Sequence, residues 1–135
     1  MNQDHPGVHQ IEEFDSESSP PDPAISPGEV VLRTREAMGR VSDASGVDRR
    51  CGRRLFGRFR ALGLADLGAE GHLYMVQPGS PLATLLRASC ERRRSAMIDA
   101  GYITDEEFDR DLARTEAADF MMPSPIMWTV WGRRP

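Results

Sequence analysis

Asp66-Leu67-Gly68-Ala69-Glu70-Gly71-His72-Leu73-Tyr74-Met75-Val76-Gln77-Pro78-Gly79-Ser80-Pro81 holds two structural signals in sixteen residues. From Asp66 to Val76 the pattern has a period of two. Leu67, Ala69, Gly71, Leu73 and Met75 fall on one face, and Glu70, His72, Tyr74 and Val76 on the other, so this stretch is predicted to be a strand. Pro78-Gly79 breaks it. Ser80-Pro81 then supplies a capping hydroxyl and a proline at the first helical position. The helix that follows carries an apolar stripe of Leu82, Leu85, Leu86, Cys90 and Met97 and ends at Gly101.

Working backwards, a helix from about Gly52 to Leu62 places Leu55, Phe56, Phe59 and Leu62 toward a core and arginines outside, with Gly63 as its left-handed stop. An earlier helix starts at Ser26-Pro27-Gly28-Glu29, a capping box with proline at its first position. It runs through Val30, Thr34, Ala37, Met38 and Val41 to Ser45-Gly46. Ahead of it, Val8–Ile11 is a short, weak strand after the Pro6-Gly7 turn. The acidic Ser/Pro-rich stretch 12–28 reads as an extended link, because Pro20, Pro21, Pro23 and Pro27 interrupt regular structure. Working forwards, Thr104-Asp105-Glu106-Glu107 is a second capping box for a helix traced by Phe108, Leu112 and Thr115. Ile126–Trp131 is strongly β-prone. The series is α/β, with about three strands and about four helices.

The chain has 135 residues, 39% hydrophobic and 28% charged, which is enough for one domain with a real core. No apolar run approaches the ~20 residues of a membrane span. The N-terminus shows no basic-then-apolar leader and the two cysteines make no disulfide framework, so a reducing cytoplasm is the expected compartment. Arginine accounts for all 17 basic residues against 21 acidic ones, a formal charge of -4. A net acidic chain lacks general attraction to nucleic acid or to an anionic membrane. The basic and aromatic run Arg49–Arg60 keeps its phenylalanines in phase with the apolar stripe, which reads as a solvated arginine face. Arg92-Arg93-Arg94 reads as another. His5, His9, His72, Cys51 and Cys90 lack the close paired spacing of a zinc site, so no metal is expected.

His5-Pro6-Gly7 with Val8-His9-Gln10-Ile11-Glu12-Glu13-Phe14-Asp15 resembles the turn, fifth strand and following acidic segment of the class I S-adenosylmethionine methyltransferases. Gly52-Arg53-Arg54-Leu55 through Gly63-Leu64-Ala65-Asp66 is similar to that family's helix before the sixth strand, and Gly71–Pro81 to the sixth strand and its exit. Gly101–Asp109 is similar to a helical insertion of one subgroup. Ser124-Pro125-Ile126-Met127 with Trp131-Gly132-Arg133-Arg134-Pro135 is similar to the last strand and terminus. The family sheet has seven strands, of which the last two form an antiparallel pair at one edge.

The resemblance implies a partial Rossmann-like fold: residues 1–28 a weak strand and linker, and 29–135 the C-terminal part of the domain with a helical insertion at about 80–118. The Gly-rich turn and the ribose-binding acidic residue with which the family holds S-adenosylmethionine have no counterpart in the chain. It is therefore expected to be a truncated or split, substrate-side half, inactive alone and binding no cofactor by itself, related to enzymes acting on a small molecule. No catalytic residue is assigned. Glu12, Glu13 and Phe14, near the carboxyl end of the first strand, with Tyr74 and Trp128, are the candidate substrate pocket. The competing reading is an interaction module. In it, a partner chain or a second copy covers the open edge of the first strand and forms an oligomer.

Overall fold

The computed structural model describes residues 7–18 and 29–135, the stretch 29–32 by its backbone alone. It forms two units. The first is a sheet with one helix, built from β1 (Val8–Asp15), α2 (Cys51–Ala61), β2 (Ala65–His72) and β5 (Ile126–Arg133). The second contains α1 (Glu29–Ala44), β3 (Met75–Val76), α3 (Pro81–Asp99), α4 (Asp105–Thr115) and β4 (Met122–Pro123). The chain is thus mixed α/β with four helices among the described residues, as its sequence indicates, and both sheets are antiparallel.

In the sheet unit the order is β1-β5-β2, and β5 runs antiparallel to both neighbours. β1 and β2 therefore point the same way without touching. Ile11, Val130 and Ala69 lie in one cross-strand row, and Glu12, Thr129 and Glu70 in the next. Alternation sends Val130 to the face covered by α2, where Leu55 and Phe59, one helical turn apart, meet it together with Cys51, Leu64 and Leu67. Burying Leu55 and Phe59 contributes roughly 1.5–3 kcal/mol each. Gly63 ends the helix at φ +75°.

Several expectations need correction. Phe56 and Leu62 do not join the core: they are 38% and 76% exposed. Phe56 stands about 100° around the helix from Leu55, and Leu62 is the C-cap, past the last helical residue. The first strand continues four residues beyond Ile11, because Glu12–Asp15 pair with Ile126–Thr129. The expected strand to Val76 stops at His72: Leu73 and Tyr74 leave the sheet exposed, and Met75-Val76 pair with Met122-Pro123 instead. Among the described residues there are consequently five strands rather than about three, two of them only two residues long and too short to show a period. β2 begins irregularly. Asp66 adopts φ +51°, the register slips between Ala65 and Gly68, and Arg133 Nε holds the Asp66 carboxylate at 2.8 Å.

The helical unit buries Ala37, Met97, Ile103 and Phe108, flanked by Met38, Val41, Cys90, Ile98, Tyr102 and Leu112. The starts of α3 and α4 carry their expected caps. Ser80 accepts from the Ala83 amide ahead of Pro81, and Thr104 and Glu107 form the reciprocal box. The cap expected at Ser26–Gly28 lies outside the described residues. Leu85 is 55% exposed rather than part of the stripe. Leu82, Leu86, Cys90 and Met97 recur in steps of four, four and seven, and Leu85 falls one residue out of phase. The Arg92-Arg93-Arg94 run is not one solvated face either. Arg93 donates to Ser42 Oγ (2.9 Å), and Arg94 pairs with Asp105 and Asp109 (2.7 Å each) while lying over the Phe108 ring.

Candidate functional site

A polar cluster of the sheet unit lies where β1 ends against the start of α2. Asp15 is 2% exposed. One of its carboxylate oxygens accepts from the Glu17 amide (3.2 Å) and the other from Arg53 Nε, while its carbonyl accepts from the amide and hydroxyl of Ser18. Ser18 Oγ in turn accepts the Ile126 amide at 2.8 Å, tying the end of β1 to the beginning of β5. Glu17 bridges Arg49 Nη2 (3.2 Å) and Arg50 Nε. Hydrogen bonding to Asp15 raises the Arg53 guanidinium above its ordinary value, so the cation is fully retained. Two carboxylates thus meet three guanidiniums, an arrangement that fixes the strand end on the helix. Part of the expected solvated arginine face is engaged here. In the sequence, the residue that pairs Asp15 is legible only as an exposed-face arginine, because a separation of 38 residues leaves no local trace.

Gly52 makes this junction possible. A Cβ on it would lie 2.7 Å from the Glu13 carbonyl, 2.8 Å from Trp128 Cδ1 and 2.9 Å from the Asp15 nitrogen.

The five candidate pocket residues do not gather in one place. Glu13 and Trp128 are directly opposed on the face beneath α2. There the Trp128 indole N–H is buried without a hydrogen-bond partner among the described residues. Glu12 and Phe14 share the other face. Tyr74 stands beyond the end of β2, its ring stacked on His72 at 6.5 Å.

The second face is the more suggestive surface chemically. Thr129, 8% exposed, lies between Glu12 and Glu70, and its hydroxyl donates to Glu12 at 3.4 Å. His72 Nε2 is 3.4 Å from Glu70, and Met127 lies between Phe14 and His72 in the adjoining row. Trp131 covers Gly68 on this same face, since a side chain at 68 would run into the indole ring. Two carboxylates roughly 10 Å apart across β5, an imidazole and an indole can hydrogen-bond and stack a flat polar ligand. The sequence alone shows the glutamate and histidine of β2 only as the polar side of a strand.

In the helical unit, Asp111 is buried. Its Oδ2 accepts from the amide and hydroxyl of Thr34, and its Oδ1 has no partner among the described residues. Burial, opposed by those two hydrogen bonds, raises its carboxyl above the ordinary range. Burial likewise pushes the Cys90 thiol up to about 11, which makes it a poor nucleophile. Both cysteines are free thiols. Among the described residues no group of three or more His, Cys, Asp or Glu side chains is placed to hold a metal ion, and no helix is long and apolar enough to cross a membrane. No protein-family model matches the chain, and a search of curated proteins finds no match.

Proposed function

We propose that the chain is the substrate-side part of a class I S-adenosylmethionine-dependent methyltransferase-like domain, acting on a small molecule or descended from an enzyme that does. The observation that carries this reading is strand arrangement. β2 and β5 form an antiparallel pair at one side of the sheet, as the family's last two strands do, and β1 lies beyond β5 in the same direction as β2. The remainder of a seven-stranded sheet would continue from the outer edge of β1. On this reading the cofactor is held by that remainder, and this chain alone binds none. Methyl transfer depends on holding a nucleophile in line with the sulfonium methyl group, so most of the rate comes from positioning that both parts supply together. Two free thiols suit a reducing cytoplasm.

Calorimetric titration of S-adenosylmethionine tests the reading, into the chain and into a fusion placing strands one to four of an intact class I methyltransferase ahead of it. The expected outcome is no saturable binding by the chain, and saturable binding with a raised melting temperature by the fusion. A cooperatively melting fusion that binds no cofactor would overturn it, as would tight binding by the chain alone. A second reading, an interaction module that completes an assembly, is favoured by the exposure of β1, where Val8 and Ile11 are 41% and 45% exposed.

A further inference from the structure

We propose that the outer edge of β1 is taken by β1 of a second copy of the chain, antiparallel, with Ile11 on the two-fold axis. The inference goes beyond the methyltransferase reading, which gives this same edge to the rest of the sheet: the second copy takes it in the chain by itself, where that remainder does not engage it. Its basis is the direction of the backbone groups. The Gly7 carbonyl accepts the Arg134 amide at 2.9 Å, which makes Gly7 and Arg134 a hydrogen-bonded pair of the β1/β5 ladder. Alternation along an antiparallel ladder then turns the amide groups of His9, Ile11, Glu13 and Asp15 toward β5 and those of Val8, Gln10, Glu12 and Phe14 away from it. Phe14 agrees: its N–H is met by the carboxylate of Glu13, 3.0 Å away. Six of the eight residues of β1 are exposed, and among the described residues no strand pairs with its outer side, so the outward groups form an open edge.

An outward-turned residue can pair only with another outward-turned residue, which leaves three well-overlapped registers for two β1 strands. Centring on Glu12 sets Glu12 against itself and Ile11 against Glu13. Centring on Gln10 sets Val8 against Glu12 and Ile11 against His9. Centring on Ile11 sets Ile11 against Ile11, Val8 against Phe14, Gln10 against Glu12 and His9 against Glu13, each mixed pair occurring twice. Arg134 Nε lies 3.2 Å from His9 Nε2, which adds a cation where the Glu13 carboxylate of the other copy arrives. Of the three, this register alone sets apolar against apolar at Ile11 and at Val8 with Phe14, the His9 imidazole against the Glu13 carboxylate, and the neutral Gln10 amide against Glu12, and it covers the exposed Val8 and Ile11 side chains. The product is a continuous six-stranded sheet.

Cysteine cross-linking reads the register directly. In the proposed dimer position 11 faces itself in a non-hydrogen-bonded pair, with Cα atoms about 4.5 Å apart, within disulfide reach. Position 9 is separated from its counterpart by four residues, roughly 13 Å. Mild oxidation is expected to give a covalent dimer of Ile11→Cys and none of His9→Cys or the wild-type chain. Sedimentation equilibrium of the wild-type chain is expected to show dimers. Glu13→Lys should weaken them about tenfold, and His9→Glu combined with Glu13→Lys should restore them. Circular dichroism confirms that each variant is folded. A wild-type chain that is monomeric over the concentration range, a dimer that cross-links equally at 9 and 11, or one that cross-links at neither overturns the proposal. None of these readouts involves the cofactor, so this proposal and the methyltransferase reading fail separately.

Discussion

Two glycines of α2 are predicted to respond to alanine with opposite signs. Gly57 is exposed, and a Cβ placed on it would have no atom within 4 Å, so Gly57→Ala meets no steric resistance. It gains the intrinsic helix preference of alanine, up to ~1 kcal/mol. Gly52 gains less from propensity because it lies in the first turn, and its new Cβ would stand 2.7 and 2.9 Å from two backbone atoms of β1. Backbone in a paired strand cannot rotate aside as the end of a side chain would. The helix start must therefore lift off the strand, loosening the Asp15–Arg53 contact and the packing of Trp128. Overpacking of this kind costs about 1–3 kcal/mol, against a propensity gain below ~1 kcal/mol, so the net effect is a loss of roughly 1–2 kcal/mol. For a chain of this size that is a fall in Tm of roughly 3–8 °C, with a small rise for Gly57→Ala. Urea unfolding at one fixed protein concentration measures both. A Gly52→Ala chain as stable as the wild type would refute the close approach of α2 to β1.

Three further outcomes follow from buried polar groups. Arg53→Ala is expected to cost more than Asp15→Asn by urea unfolding, because it leaves a buried carboxylate without its cation while the asparagine keeps an acceptor for the Glu17 amide; the reverse order would contradict the pairing. Asp111 has a carboxyl raised by burial, so the folded state holds its proton longer than the unfolded state does, and its contribution to stability falls as pH rises from about 4 through the folded value. Asp111→Asn should therefore gain stability relative to the wild type between pH 3 and pH 7, and denaturant titrations showing a constant difference would exclude this. Cys90, with its thiol at about 11, carries roughly a thousandth of its population as thiolate at pH 8. Iodoacetamide should label it only once the chain is unfolded, as mass spectrometry of the Cys90 peptide would show; labelling in the native state at the rate of a free thiol would contradict its burial.

Local signals carry the helices. The caps of α3 and α4 are made by neighbouring residues, Ser80 with Ala83 and Thr104 with Glu107, so each is written in consecutive sequence. Leu55, Phe59, Met97 and Phe108 are core residues because their spacing follows 3.6 per turn; Phe56 and Leu85 join the stripes only on hydrophobicity, against that phase, and Leu62, in phase with Leu55, lies past the helix end. The strands are harder to delimit. The length of β1 depends on partners more than a hundred residues away in β5, and period two runs on through Leu73-Tyr74 although the sheet does not. The candidate pocket rests on the idea of chemistry gathered after a strand. Glu12 and Glu13 are instead within the strand, and alternation sends them to opposite faces. The Asp15–Arg53 and Thr34–Asp111 contacts join residues 38 and 77 positions apart, a distance at which sequence pattern is silent.

The central place of β5 also governs the order in which the chain can fold. β1 and β2 have no ladder to each other, so neither has a sheet partner until residues 126–133 arrive. The separation closed by the Ile11–Val130 pair is about twice that closed by Ala69–Val130, a difference of only ~0.6 kcal/mol in loop entropy, yet both closures rest on the same few residues. α3 and α4, joined by a short turn, can dock long before either. The helices are therefore expected to form in an early, local phase of folding, and the sheet in a late, all-or-none step. A proline at Thr129 or Val130 would then leave helical content formed while both ladders are lost together.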